Sequence, residues 1–289
     1  MTIATIDIGG TGIKFASLTP DGKILDKAST PTPETLEDLL AWLDQRLSER
    51  DYRGIAMSVP GAVHQETGVI EGISAIPYIH GFSWYEALSH HKLPVHLEND
   101  ANCVGLSELL AHPEIENAAC VVIGTGIGGA MIINGKLHRG RHGLGGEFGY
   151  MTTIEPAEKL NNWSQLASTG NMVRYVIEKS GQSDWDGRKV YQEAAAGNVL
   201  CQEAIDRMNR NLAQGLLNIQ YLIDPDVISL GGSISQNPDF IRGVQKAVDT
   251  FVDRYEEYTI APVIQACTYQ ADANLYGALV NWLQEENQW

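Results

Sequence analysis

Residues 3–12 read Ile3-Ala4-Thr5-Ile6-Asp7-Ile8-Gly9-Gly10-Thr11-Gly12, and residues 119–129 read Ala119-Cys120-Val121-Val122-Ile123-Gly124-Thr125-Gly126-Ile127-Gly128-Gly129. Each is a short apolar run of strand type that opens into a loop of glycine and threonine. Each is followed by a second strand-like run, Lys14 to Leu18 and Ala130 to Ile133. A turn comes next, Pro20-Asp21-Gly22 in the first copy and Asn134-Gly135-Lys136 in the second. Ile24 to Ala28 fits a third strand of the first copy. Strand, Gly/Thr loop, strand, turn, strand thus occurs twice. Two copies of one unit predict an α/β protein of two similar lobes facing each other across a cleft.

The segments between and after the copies fit that plan. Leu36, Leu39, Leu40, Leu43 and Leu47 have helical spacing, and Thr32-Pro33 reads as the opening of that helix. Ile55 to Val59 and Val95 to Leu97 read as strands, and Ala101 to Leu110 as a helix. Helices are expected over Leu160 to Glu178, Val199 to Ile223, Phe240 to Tyr255 and Ala271 to Leu283. Strands are expected over Val227 to Leu230 and Val263 to Ala266. The first lobe is expected over residues 1–104, regaining the C-terminal helix at 271–289, and the second over 105–270.

The chain has 289 residues, enough for two lobes with cores of their own. Acidic residues outnumber basic ones, 36 to 20, for a formal charge of −16. Such a surface repels nucleic acid and anionic membrane, so neither is an expected partner. The four cysteines, Cys103, Cys120, Cys201 and Cys267, are widely spaced with no C-x-x-C pair, which reads as reduced thiols. The N-terminus runs straight into a strand pattern without a basic n-region and apolar h-region, and no apolar run reaches membrane-spanning length. A cytoplasmic protein is expected.

A glycine-rich turn between strands lets backbone N–H groups converge on phosphate oxygens without obstruction by Cβ. One such loop is also what a plain tight turn needs. Two at equivalent points of a duplicated unit suit a polyphosphate held from both sides, with Thr11 and Thr125 adding hydroxyl donors. Neither loop ends in Gly-Lys-Ser/Thr, so neither is a Walker A loop. Gly124-x-Gly126-x-x-Gly129 satisfies the dinucleotide pattern, and Glu147 lies near the distance of a ribose-binding acid. That motif must open a helix, however, and here a strand and a hairpin turn follow. Gly231-Gly232-Ser233 follows the apolar run Val227 to Leu230. It suits either a flat adenine ring against the backbone or a plain strand-to-helix turn.

Three carboxylates stand out. Asp7 ends the first strand beside the first loop, where it can hold Mg²⁺, directly or through water, or stabilise an Asx-type turn. Asp100 lies in Glu98-Asn99-Asp100-Ala101-Asn102, where a strand gives way to a helix. Asn99 or Asp100 there suits an N-cap. Phosphoryl transfer to a polyol also needs a carboxylate that accepts the hydroxyl proton and an amide that orients neighbouring hydroxyls, which Asp100 and Asn99 supply. Glu147, in Gly145-Gly146-Glu147-Phe148-Gly149-Tyr150, can accept hydrogen bonds from sugar hydroxyls or be a solvated loop residue. His138 and His142 read as loop histidines, since flanking glycines argue against a helix and no third ligand is evident.

Taken in order, these segments resemble the ROK family of sugar kinases and repressors, part of the actin-like ATPase superfamily, over essentially the whole chain. Asp7-Ile8-Gly9-Gly10-Thr11 resembles its first phosphate motif and Gly124-Thr125-Gly126-Ile127-Gly128-Gly129 its second. Ser58-Val59-Pro60-Gly61 resembles the glycine turn beside the sugar. Glu98-Asn99-Asp100-Ala101-Asn102 matches the catalytic motif. Ser229-Leu230-Gly231-Gly232-Ser233 resembles the adenosine-side motif, and Asn274-Leu275-Tyr276-Gly277-Ala278 the last helix.

The resemblance implies a two-lobed actin-like, ribonuclease H-like fold with duplicated βββαβ-type lobes. It implies an ATP-dependent carbohydrate kinase that uses Mg²⁺ and phosphorylates the 6-hydroxyl of a hexose or hexoside. Glucose, N-acetylmannosamine, fructose and β-glucosides all suit such a pocket. Asp100 is then the base, and Gly61, Asn99, Asp100 and Glu147 are the sugar ligands. ATP falls to Asp7, Gly9, Gly10, Thr11, Gly124, Thr125, Gly126, Gly128, Gly231 and Gly232. A homodimer is the usual arrangement of the family.

The chain departs from the family in one region. Most ROK kinases carry Glu-x-Gly-His and then a cysteine-rich zinc loop. Here Tyr150 stands in place of the histidine, and no cysteine occurs between Cys120 and Cys201. No zinc is expected. Trp163-Ser164-Gln165 stands where a sugar-binding glutamate is usual. Both changes fall at the sugar's anomeric end in the family, which suits a glycoside or a different sugar, and the zinc-free relatives include β-glucoside kinases and glucokinases. The rival readings are a non-catalytic sugar sensor of the ROK type, a degenerate kinase that only binds sugar, and a dinucleotide-dependent dehydrogenase. ROK repressors carry an N-terminal helix-turn-helix. A first strand that starts at about the second residue, with strong acidity, speaks against DNA binding.

Overall fold

The protein is described from a computed structural model, which covers residues 2–154, 160–254, 256, 257 and 259–289. Contacts divide it into two units, one of Met1–Glu114, Arg139–Gly145 and Ala271–Trp289, the other of Ile115–His138 and Gly146–Gln270.

In the first unit β1 (Ile3–Ile8) is buried at every position, as an apolar run in the middle of a sheet must be. Its one hydroxyl, on Thr5, donates to Ala16 O at 3.0 Å. β2 (Gly12–Leu18) returns antiparallel to β1, and β3 (Ile24–Pro31) pairs antiparallel with β2. α1 (Leu36–Ser48) buries Leu39, Leu43 and Leu47, one face at i, i+4 spacing. Its N-cap is Thr35, whose hydroxyl accepts from Asp38 N at 3.1 Å. The expected opening at Thr32-Pro33 is therefore three residues early, and Thr32 instead donates its hydroxyl to Gly9 O at 2.5 Å.

β4 (Gly54–Val59) runs parallel to β1, and the hairpin of β5 (Ala62–His64) and β6 (Val69–Glu71) follows. α2 (Trp84–Ala87) buries Trp84 completely. β7 (Val95–Asn99) lies parallel to β4 and leads into α3 (Asp100–Ala111). The sheet order is β3-β2-β1-β4-β7. α3 stays with this unit to its end, so the division falls beyond residue 104.

The second unit repeats the plan. β8 (Ala118–Ile123) and β9 (Ile127–Ile133) are antiparallel, and Asn134 and Gly135, at φ 53° and 70°, make the tight turn into β10 (Lys136–Leu137). β11 (Thr152–Ile154) pairs with β12 (Leu160–Asn162). The single helix expected over 160–178 is instead this strand followed by two helices, α4 (Trp163–Ala167) and α5 (Thr169–Ser180). Ser168, at φ −79° and ψ 156°, breaks the run and caps α5 by accepting from Asn171 N.

α6 (Gly187–Ala195) was not anticipated, and α7 (Val199–Ile223) has the expected bounds. β13 (Val227–Gly231), α8 (Pro238–Arg254) and β14 (Ile264–Ala266) follow, and Tyr255, the expected end of α8, lies outside the described residues. The sheet order is β10-β9-β8-β13-β14, with β13 parallel to β8 and to β14. Strand order and strand directions match those of the first sheet, so the duplication legible in the glycine loops extends to topology.

The chain returns to the first unit in α9 (Ala273–Glu285), where Trp282 is fully buried over β4. A Cβ on Gly54 would meet the Trp282 ring at 2.2 Å, and one on Gly277 would meet Cys103 O at 1.7 Å, so both positions need glycine. All four cysteines are buried and free. Among the described residues no helix is long and apolar enough to cross a membrane.

Candidate active site

The first unit gathers half of the expected residues at the C-terminal ends of β1, β4 and β7. Gly9 N–H turns back to Gly12 O at 3.1 Å, which closes the loop and leaves Gly10 and Thr11 exposed. Asp7, 6% exposed, sits at its base. Its Oδ2 accepts from Lys14 Nζ at 3.1 Å and its Oδ1 from Asn274 Nδ2 at 2.8 Å. Lys14 also donates to Ala271 O at 2.6 Å. Asp7, the loop, Lys14, Pro60, Asp100 and Asn274 line one cavity of about 490 Å³.

The strand-to-helix junction decides between capping and chemistry. Asn99 is the N-cap: its Oδ1 accepts from Ala101 N at 2.9 Å and Asn102 N at 3.2 Å. Its Nδ2 donates to Gly61 O at 3.1 Å, which fixes the amide against the turn after β4. Gly61 has φ +107°, and a Cβ there would lie 2.8 Å from Glu71 O, so only glycine makes that turn. Asp100 is left facing the cavity, with one oxygen, Oδ1, held by Ala101 N–H at 2.8 Å. Burial, and then the Asp7 charge, raise its carboxyl above the ordinary carboxylate range, against the Ala101 hydrogen bond.

Glu98, behind this junction, was legible only as part of the motif. It is 2% exposed and carries four contacts. Oε1 accepts from Asn99 N and Asn102 Nδ2, and Oε2 from Arg139 Nε at 2.6 Å and Gln65 Nε2 at 3.4 Å. Arg139 also donates to Asn281 and Glu285 on α9. It thereby ties segment 139–145 to the edge strand that ends at Asn99, just before Asp100.

The second unit holds the other group. Gly124, Thr125 and Gly126 are exposed, with Gly124 N donating to Gly126 O at 2.9 Å. The end of the loop is pinned by Ser164, whose Oγ accepts from Ile127 N at 2.9 Å. Ser164 thus packs on the phosphate-type loop. Gln165, beside it, completes a capping box with Asn162. Gly149 explains part of its own motif, since a Cβ there would fall 2.0 Å from Ile127 O. Gly128 lies within β9, opposite Val122, rather than in the loop. Glu147 is half-buried at the start of the short turn Phe148–Tyr150, and Tyr150 is 72% exposed. Gly170, not anticipated, begins α5 with its N–H on Gly124 O at 3.2 Å and no room for a Cβ against Thr125 O, 2.5 Å away.

Gly231 ends β13, and Gly232, at φ +88°, rests on Ile123 just before the second loop. Beyond it opens a cavity of about 610 Å³ lined by Thr169, Gly187, Arg188, Tyr191, Ser233 and Ile234 among others. Thr169 Oγ1 and Tyr191 Oη are buried there without a partner. Burial raises the Tyr191 hydroxyl far above its usual range, so it stays protonated. These residues were missed because α6 and the break at Ser168 were missed. Among the described residues the one set of three side chains able to converge on a metal is Asp44, His90 and His91, on the first unit; His138 and His142 join no such set.

Two sheets of one topology, each with a glycine loop after its first strand, define the actin-like ATPase class. The model of the ROK family matches residues 3–285, and the chain belongs to that family. A β-glucoside kinase of Listeria monocytogenes is 34% identical, with 100% of this chain and 99% of the relative covered. A glucokinase of Halalkalibacterium halodurans is 28% identical over 98% of this chain and 95% of its own. The crystal structure of a ROK family protein from Streptococcus pneumoniae TIGR4 in complex with sucrose is 89% identical, covers both chains fully and superposes with a TM-score of 0.98.

Proposed function

We propose that this ATP-dependent sugar kinase of the ROK family phosphorylates the 6-hydroxyl of a hexose unit whose anomeric carbon is substituted, with Asp100 as the base. The observation that carries the reading is Asp100 itself: a carboxylate with raised proton affinity, in one cavity with the first glycine loop and Asp7. The acceptor class rests on relatives. One acts on β-glucosides and another was crystallised with sucrose, and in both ligands the anomeric carbon carries a substituent. The exposed Tyr150, in place of a histidine, suits such a substituent.

Asn99, held by Gly61 O and by the first turn of α3, orients a sugar hydroxyl beside Asp100 through its amide. Asp100 accepts the proton of the 6-hydroxyl at Oδ2, the oxygen that Ala101 does not hold. Its raised proton affinity makes it the stronger acceptor as the oxygen attacks phosphorus. The N–H groups of the exposed residues Gly10 and Thr11, and those of Thr125 and Gly126, take phosphate oxygens, while the Gly124 N–H closes its own loop. The cavity beyond Gly232 takes the adenosine, with the Thr169 and Tyr191 hydroxyls as its unmet partners.

Each Asp7 oxygen has a single donor and keeps a lone pair, and the Lys14 ammonium already stands against Oδ2. That set fits Mg²⁺ held through water rather than directly. The ion, brought with ATP, would neutralise phosphate charge. Turnover of Mg·ATP with glucose, fructose, N-acetylmannosamine, sucrose and aryl β-glucosides, followed by ³¹P and ¹³C NMR of the product, tests the reading. A glycoside phosphorylated at O6 with higher kcat/KM than free hexose is expected. Free hexose preferred over every glycoside, or phosphate on another oxygen, overturns it.

A further inference from the structure

On α7, Asp206, Asn209 and Arg210 stand at i, i+3 and i+4 and share a face. With Gly243, Lys246 and Arg254 of α8 they line a cavity of about 420 Å³ within the second unit. It shares no residue with the two cavities described above.

Three features set this cavity apart. The chain carries a net charge of −16, yet three cations, Arg210, Lys246 and Arg254, meet here beside one acid, Asp206. Among the described residues none of the three enters an ion pair. Asn209 is 5% exposed, and its Oδ1 is buried with no donor. Buried carbonyl oxygens are rarely left so, because the lost hydration is not replaced. Gly243 makes the arrangement possible, since a Cβ there would lie 2.4 Å from Asn209 Nδ2.

Converging cations repel one another, and a dianion between them relieves that repulsion through charge-assisted hydrogen bonds. Asn209 Oδ1 asks for a hydroxyl or amine donor in the same molecule, and three cations against one acid in the lining disfavour an amine. We infer that the cavity between α7 and α8 binds a phosphate monoester of a small polyol, that is, a ligand of the same chemical class as the product of a sugar kinase. The site stands whether or not the acceptor proposed above is the right one, because none of its residues belongs to that reaction.

Titration calorimetry with glucose 6-phosphate, inorganic phosphate and glucose, on the whole chain, tests this. Wild type is expected to bind glucose 6-phosphate at least tenfold more tightly than inorganic phosphate. In Arg210→Gln/Lys246→Gln that binding event weakens at least tenfold, while turnover without added ester matches wild type. These two side chains are exposed, so the variant keeps its core. Asn209→Asp, isosteric but anionic, weakens the ester at least as strongly. Ester binding undiminished in the double variant, which would place it elsewhere, overturns the inference. Equal affinity for ester and inorganic phosphate also overturns it, because Asn209 would then have no part.

Discussion

Asp100 has a raised proton affinity, and this has opposite consequences for chemistry and for stability. The folded chain keeps that proton where the unfolded chain has lost it, so folding stability falls as pH rises from the ordinary carboxylate range, near 3.8, through the raised value. Above that value the loss is complete and constant. Asp100→Asn removes it while keeping an acceptor for Ala101 N–H. Calorimetry should find the variant's Tm above wild type at pH 7, with the difference closing below about pH 4. A variant less stable at pH 7 would show that the carboxylate serves structure. Glu98 is a buried carboxylate of another kind, because its charge is matched by Arg139. Arg139→Met strands a buried carboxylate and should cost about 3 kcal/mol in urea unfolding. Arg139→Met/Glu98→Gln should recover most of it. If the double variant is as unstable as the single one, packing rather than charge holds segment 139–145.

Asn99 and Asp100 were legible as a pair at a strand-to-helix junction, but which of them caps was not. Capping depends on where each side chain points once the helix begins, and adjacent polar residues look alike in a sequence. Lys14 and Asn274, the partners of Asp7, were illegible as a site for another reason. Asn274 is 267 positions away, and only the return of α9 brings it to β1.

At the scale of elements, long apolar-periodic segments read true, α7 to the residue and β1 likewise. The errors fall where elements are short or where one polar residue ends them. β5 and β6 have three residues each, too few for a period to show. Ser168 divides α4 from α5, although the apolar spacing runs on across it. That break puts the start of α5 against the second loop, so Gly170→Ala should raise the KM for ATP about tenfold or more, with the far-UV spectrum unchanged. An unchanged KM would detach α5 from nucleotide binding. Gly277 is the matching position between α3 and α9. Gly277→Ala forces the helices apart by the volume of a methyl group and should cost about 1–3 kcal/mol or more in denaturant unfolding. No change in stability would mean that the two helices do not pack as closely as described.

Taken as a whole, the molecule is one strand order used twice, β3-β2-β1-β4-β7 and β10-β9-β8-β13-β14. The two glycine loops announce the duplication because each follows a buried central strand. The helices differ between the copies, so only the strands and loops repeat legibly. The units trade segments, with 139–145 and α9 belonging to the first, and no compositional linker marks those crossings.

The proposed role of Asp100, to take the proton of the acceptor hydroxyl, can be tested directly. The most direct measurement is sugar-dependent ADP release by wild type and Asp100→Asn, with sugar affinity of both measured by calorimetry. A base at Asp100 predicts a variant that binds sugar within a few-fold of wild type and loses about 10²–10⁴ in kcat. Its residual rate should lack the acid limb that wild type shows above the usual carboxylate range. A variant that turns over sugar at the wild-type rate, or that fails only because it no longer binds sugar, would contradict it.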